Sequence, residues 1–315
     1  MHQLGVEGGS SSVMITNGAK DAISLCCRAL MGGDSIIFVP SPTYLTAILI
    51  FLRSGARVVP IAQDDWGVCP ETLAQMLAAH AQEPGRRFVY LIPEFDNPTG
   101  RSLSLERQKK IAELIQQYDA ILIEDDPYRQ IRFSGTPNPP ISSFLPERCF
   151  IYIGTTSKIL APGLRFGWIM ASPEAIACIA RYKDDGCSCS LSQVVVAAAF
   201  ESGYAAEFSR NLSMQLKEHR DELVAALREH FPESEFQEPS GGYFLWVKLP
   251  VGTNASELAI AAEAQGVSVF PGHLFYPTNP HPTNEIRLAF SNCAPEILTE
   301  GVKRLTRAYR NIRKE

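Results

Sequence analysis

The sequence predicts an α/β protein, a mainly parallel sheet between two layers of helices, followed by a smaller α+β lobe. Three observations carry this. Short apolar, β-rich runs alternate with amphipathic stretches as far as about residue 170; a nearly continuous helical pattern runs from about 190 to 231; strand and helix patterns then alternate to the end. Regular alternation of this kind specifies βαβ units, whose crossover helices cover both faces of a parallel sheet.

The elements follow in order. SIIFV (35–39), ARVVPI (56–61), RFVYLI (87–92), AILIE (120–124) and CFIYIG (149–154) are apolar without a period of two, as strands buried on both faces are. Amphipathic stretches at 19–30, 43–53, 71–81 and 105–118 separate them. LSQVVVAAAFESG is a helix ending at Gly203, and AAEFSRNLSMQLKEHRDELVAALREHF is a second that runs until Pro232. GGYFLWVKL reads as a strand, ASELAIAAEAQG as a helix stopped by Gly266, EIRLAFS as a strand and 295–313 as a closing helix. The long helix suits a bridge between two lobes, so the expected domains are 1–210 and 211–315.

Composition narrows the function classes. The chain has 315 residues, 45% hydrophobic and 20% charged, with a net charge of −5. This is ordinary globular composition, and the acidic balance argues against a nucleic-acid surface. The apolar run LTAILIFL at 45–52 is too short to span a bilayer. The opening MHQLGVEGGSSS lacks a basic region followed by an apolar one, so no secretory leader is expected. Eight cysteines lie scattered, with no CxxC pair; they read as reduced thiols of a cytoplasmic protein, with no metal site.

Four places combine chemistry with a position at a strand end or helix start, where ligands of open α/β sheets gather. In TNGAKDAI (16–23), Asn17-Gly18 is a turn signal before a helix, so Gly18, Ala19 and Lys20 present N–H groups to an anion or simply begin a helix. In EFDNPTGRSLS (94–104), the Asn-Pro pair holds Asn97 in an extended or turn geometry after a strand. In AILIEDDPYRQIRF (120–133), a buried strand runs into Glu124, Asp125 and Asp126, which are costly there unless a cation pairs with them. These acids are helix caps or a carboxylate for a protonated ligand nitrogen. In TTSKILAPGLRFGW (155–168), Lys158 follows three hydroxyls and precedes Arg165 in otherwise apolar chain. A partly desolvated lysine titrates low enough to attack a carbonyl, while hydroxyls and arginine suit a phosphate.

One cofactor uses all four together. Pyridoxal 5′-phosphate has an aldehyde for the amine, a phosphate for the N–H groups and arginine, a phenolic oxygen, and a ring nitrogen that a carboxylate keeps protonated.

ITNGAKDAI, SPTY, DNPTG, EDDPY, TTSKILAPGLRFGW and EIRLAFS also occur in the order found in fold-type I aminotransferases of class I/II. The chain resembles this family along essentially its whole length, and most of all the branch of 2-aminoadipate, kynurenine and aromatic aminotransferases. The resemblance implies the fold-type I architecture, with a sheet of the seven-stranded type. It implies that Lys158 bonds to the cofactor and moves the substrate's α-proton. It implies that Asp125, with Asp126 as rival, pairs with the ring nitrogen, and that Tyr128 and Asn97 hydrogen-bond the phenolic oxygen. Tyr44 would stack on the ring. Gly18, Ala19, Lys20, Thr155, Ser157 and Arg165 would hold the phosphate, and Arg287 the substrate α-carboxylate.

The implied activity is ping-pong amino transfer between an L-amino acid and a 2-oxo acid, in a homodimer whose subunits complete each other's sites. Alternatives are another reaction of the same cofactor (lyase, decarboxylase or oxidase-like) or the sensor domain of a GntR-type transcription regulator. Family members carry roughly 80 further residues ahead of the equivalent of MITNGAK, including a substrate-covering loop and a tyrosine that reaches the partner's phosphate. This chain starts at Met1, sixteen residues before Asn17, which reads as a fragment, a truncated product or a protein lacking those parts. Phe270, His273, Phe275 and Tyr276 are candidates for lining a side-chain pocket, and Arg132 and Arg53 for a second carboxylate.

Overall fold

The computed structural model describes residues 9–278 and 283–313; most of the stretch read for a leader, residues 1–8, lies outside them. Its main sheet follows the order β1 (Val13–Thr16), β8 (Gly167–Met170), β7 (Phe150–Thr155), β6 (Ile121–Asp125), β5 (Arg87–Leu91), β2 (Ile36–Ser41), β3 (Arg57–Asp64) and β4 (Gly67–Val68). From β7 through β6, β5 and β2 to β3 all neighbours are parallel, whereas β8 runs antiparallel to both β7 and β1. Seven strands make the span, and two-residue β4 closes a hairpin on β3.

The five strands legible in the sequence form within a few residues of their expected places. β1 and β8 were not legible: each has four residues, too few to establish a period. β8 also needs a glycine to sit where it does. A Cβ on Gly167 would come within 2.7 Å of the Gly18 carbonyl carbon, so only glycine lets this strand lie against the turn that opens the first helix.

Side chains alternate across the sheet and build two cores. Ile37, Val39, Phe88, Tyr90, Ile123, Ile151 and Ile153 pack with α1 (Ala19–Leu30) and α7 (Tyr204–His230). Ile36, Phe38, Val89, Leu91, Leu122, Phe150 and Tyr152 pack with α3 (Pro70–Ala79) and α4 (Leu105–Gln117). α2 (Leu45–Arg53), α5 (Pro173–Ala180) and α6 (Ser190–Glu201) complete the helices up to α7. α6 and α7 break at Gly203, whose φ of 79° is left-handed, as the sequence suggested.

The first core continues into the C-terminal lobe through Val247, Ile286, Leu298 and Val302. That lobe is an antiparallel sheet ordered β11 (Phe270–Pro271), β12 (Glu285–Ala289), β10 (Phe244–Lys248), β9 (Glu235–Phe236), with α8 (Ala255–Glu263) and α9 (Pro295–Ile312). We propose the domain division at residue 210, which falls inside α7.

Candidate active site

Three parallel strands end at one cleft. The segment after β5 delivers Asn97, the end of β6 delivers Asp125 and then Tyr128, and the end of β7 delivers Thr155, Ser157 and Lys158. With Ala19 and Lys20 at the start of α1, Tyr44 ahead of α2, and Arg165, they line a cavity of about 240 Å³. Gly18 and Arg287 stand just behind the lining, Gly18 against Arg165 and Arg287 against Asn97. The four separate sequence signals therefore converge on one place. A larger cavity of about 570 Å³ lies apart, between the β3–β4 hairpin and the C-terminal sheet.

The three acids at the end of β6 divide between two faces. Glu124 accepts from the main-chain N–H groups of Ile141 at 3.0 Å and Ser142 at 2.8 Å, and sits 3.5 Å from Arg129. Asp126 accepts from Arg129 Nε and, at 2.8 Å, from the Tyr152 hydroxyl. Arg129, three residues after Asp126 in the same segment, is the cation these buried acids required, although it was not singled out from the sequence. Of the three, only Asp125 lines the cavity. Its Oδ2 accepts from the Tyr90 hydroxyl at 2.8 Å, while its Oδ1 is buried without a partner. Burial pushes the Asp125 carboxyl up to about 7; the Tyr90 hydrogen bond opposes this and the Asp126 charge adds to it.

Lys158 lies across the same cavity. Burial lowers the pKa of its amine, and the Arg287 and Arg165 charges lower it further. Its Nζ is 5.3 Å from the centre of the Tyr243 ring, and the Tyr243 hydroxyl donates to the Lys158 carbonyl oxygen at 2.7 Å. Sequence reasoning placed Tyr243 only in a strand pattern. The available signal was the Gly-Gly pair before it: a Cβ on Gly241 would lie 2.3 Å from the Phe95 ring, so the glycines let this segment press against the chain leading to Asn97.

The start of α1 is built for an anion. α1 begins at Gly18 with no side-chain cap, as α2, α3, α6, α7 and α9 also do; what sets it apart is that Ala19 and Lys20 at its start line the cavity. Gly18 has φ 96°, and a Cβ there would sit 2.9 Å from Arg165 Nη2. Arg165 is itself left-handed, with φ 49°, a costly conformation for a side-chain-bearing residue. Its Nη2 donates to the Asn17 carbonyl oxygen at 2.8 Å. The Thr155 hydroxyl lies 3.0 Å from that of Ser157 and donates to the Phe166 carbonyl oxygen at 2.9 Å.

Arg287, on β12, donates from Nη1 to Asn97 Oδ1 at 2.9 Å. Its guanidinium carbon lies 4.1, 4.5 and 4.9 Å from the ring centres of Phe244, Phe270 and Phe275, and its buried Nε has no partner. Phe270 and Phe275 thus flank this cation and do not line the cavity. His273 bonds Ser256, and Tyr276 donates to Glu285 beside the larger cavity. Arg132 is not a free carboxylate site, because Glu94 takes its guanidinium at 2.6 Å; Arg53 lies exposed on the last turn of α2.

Together these groups offer an attacking amine, a buried anion lacking one donor, an anion cradle and a guanidinium with spare donors. Comparison with known proteins agrees. Residues 4–305 match the family model described as aminotransferase class I and II. The chain is 36% identical to aromatic-amino-acid aminotransferase 1 of Thermococcus litoralis, over 96% of this chain and 73% of that protein. It is 31% identical to YdfD, an uncharacterized HTH-type transcriptional regulator of Bacillus subtilis, over 96% of this chain and 62% of that one. Its fold superposes with a TM-score of 0.89 on LysN, the α-aminoadipate aminotransferase of Thermus thermophilus complexed with N-(5′-phosphopyridoxyl)-L-leucine, at 29% identity over 96% of this chain and 78% of that one. The chain belongs to the class I and II aminotransferases, a family of fold-type I enzymes that move amino groups with pyridoxal 5′-phosphate.

Proposed function

We propose that this cleft is the transamination site and that Lys158 is its amine. One observation carries the reading: a half-buried lysine of lowered pKa shares a 240 Å³ cavity with a buried carboxylate oxygen that lacks a donor. When bound, pyridoxal 5′-phosphate supplies a carbonyl for an amine and a protonated ring that holds the electron pair left by a departing α-proton. Lys158 Nζ takes that proton from the substrate's α-carbon, which requires the neutral amine that burial favours. Asp125 Oδ1 would accept from the ring nitrogen and keep it protonated. Tyr128 and Asn97 would donate to the phenolic oxygen, and Tyr44 would pack on the ring. The N–H groups at Gly18, Ala19 and Lys20, with Thr155, Ser157 and Arg165, would take the phosphate. Arg287 holds the substrate α-carboxylate through its spare donors, which favours removal of the proton over loss of carbon dioxide.

The substrates are an amino acid and a 2-oxo acid. The Thermococcus litoralis relative is named for aromatic amino acids and LysN for α-aminoadipate, so these head the panel to test. The exposed face of α6, with Leu191 at 74% and Val194 at 66% exposure, supports a homodimer. We read the thiols as those of a reduced, cytoplasmic protein. The likeness to a transcriptional regulator supports a second reading, a sensor that keeps the cofactor site without turnover. Mixing the cofactor-loaded protein with single amino acids and measuring the 2-oxo acid released separates the two. Stoichiometric release followed by turnover on adding a second 2-oxo acid is the aminotransferase result; binding without release is the sensor result.

A further inference from the structure

Tyr90 lies outside the cavity lining, yet it makes the single hydrogen bond to the Asp125 side chain among the described residues. It stands on β5, one strand over from β6, with Tyr90 opposite Ile123 in register. Its side chain is fully buried and packs edge-on against Phe51, with ring centres 5.1 Å apart. From there its hydroxyl donates to Asp125 Oδ2 at 2.8 Å. The other groups facing Asp125 are Tyr44 ahead of α2 and Asp126 and Tyr128 beyond β6; none of them donates a hydrogen bond to it. Tyr90 is thus the sole neighbour that favours the ionised carboxylate, against burial and the like charge of Asp126. By occupying Oδ2 it also determines which oxygen is left for a ligand.

We propose that Tyr90 is a positioning residue for the reaction: it keeps Asp125 ionised and turns Oδ1 toward the ring nitrogen of the cofactor. The inference rests on the role assigned to Asp125 above. It also explains an otherwise odd placement, a tyrosine hydroxyl in the fully buried part of a central strand. Such a group needs a partner when buried, and its partner here is the cavity carboxylate.

The test is Tyr90→Phe, which keeps the ring and its packing on Phe51 and removes only the hydroxyl. The first measurement uses cofactor-free protein: the Asp125 carboxyl carbon is followed by NMR across pH. A hydrogen bond to a charged group is strong enough that its loss raises the midpoint by about one to two pH units. The second uses protein loaded with cofactor labelled with 15N in the ring. Wild type keeps the nitrogen protonated at pH 8, and Tyr90→Phe shifts the signal toward the unprotonated form, with kcat lowered more than KM is raised. An unchanged midpoint together with an unchanged nitrogen signal overturns the proposal. If wild-type protein itself shows no protonated ring nitrogen, the role of Asp125 fails instead, so the two failures are distinguishable. Thermal melting of both proteins guards against a folding defect. Should Tyr90→Phe fail to fold, wild-type protein carries the test: the 13C-labelled Tyr90 Cζ signal should move with the Asp125 midpoint, and a Cζ signal indifferent to that titration overturns the proposal.

Discussion

Two buried clusters lie back to back at the end of β6; each leaves one aspartate oxygen without a donor, Asp126 Oδ1 in one and Asp125 Oδ1 in the other, but only the first holds a cation and only the second faces the cavity. On one face Glu124 and Asp126 meet Arg129, Tyr152 and two main-chain N–H groups. On the other face Asp125 meets Tyr90 and has one oxygen without a donor. Both sets of acids are taken from water, but the first is paired with a cation within the chain. The difference teaches how to tell scaffold from site among neighbouring acids: the one that faces the cavity without a cation awaits a ligand.

The sharpest way to break this comparison is to remove each acid in turn. Asp125→Ala should lower turnover at least about 100-fold, the scale of losing a preorganised electrostatic partner, while the fold survives and the cofactor stays attached. Asp126→Ala should do the reverse, costing about 3–5 kcal/mol of stability by leaving Arg129 short of a buried counter-charge. Turnover measured beside urea unfolding checks both, and an exchange of the two phenotypes contradicts the division.

The second test is pH. Burial raises the Asp125 pKa from its ordinary range to about 7, so the folded cofactor-free protein holds that proton more tightly than the unfolded chain. Stability therefore falls as pH rises from about 4 through 7. Asp125→Asn removes this liability and should be the more stable protein at pH 8, by on the order of 4 kcal/mol, with the gap closing near pH 4. Glu124 and Asp96, also raised by burial, contribute equally to both proteins and cancel.

Smaller effects sharpen the picture at the cleft's edges. Arg287→Lys should raise KM for the amino acid about 10- to 100-fold, since a point charge replaces a planar fork. Tyr243→Phe removes the bond to the Lys158 carbonyl oxygen but keeps the ring beside Nζ, so kcat should fall only a few-fold, consistent with about 1 kcal/mol for one hydrogen bond.

Much of this was legible in the sequence. Doubly covered strands are continuously apolar, so β2, β3, β5, β6 and β7 stood out. The motif residues Asn97, Asp125, Lys158 and Arg165 lie at strand ends or on the chain directly following them, which is why separate short signals meet in space. Tyr90 and Tyr243 were not legible as functional, because each acts across strands or lobes and carries no local pattern; Arg129 lies three residues after Asp126 and five after Glu124, close enough for local spacing to have found it. Phe270 and Phe275, named as candidates for lining a side-chain pocket, flank Arg287, the Phe270 contact being set by the pairing of β11 with β12. β1 and β8 were too short to carry a period, although the glycine at 167 marks the close approach that β8 makes.

The central claim is that Lys158 is the amine that bonds the cofactor. Borohydride reduction of the protein with excess pyridoxal 5′-phosphate, followed by peptide mass mapping, tests it most directly. The account predicts one modified peptide, the one containing Lys158, and none in Lys158→Ala. An unmodified Lys158 peptide, or stoichiometric modification at another lysine, would contradict it.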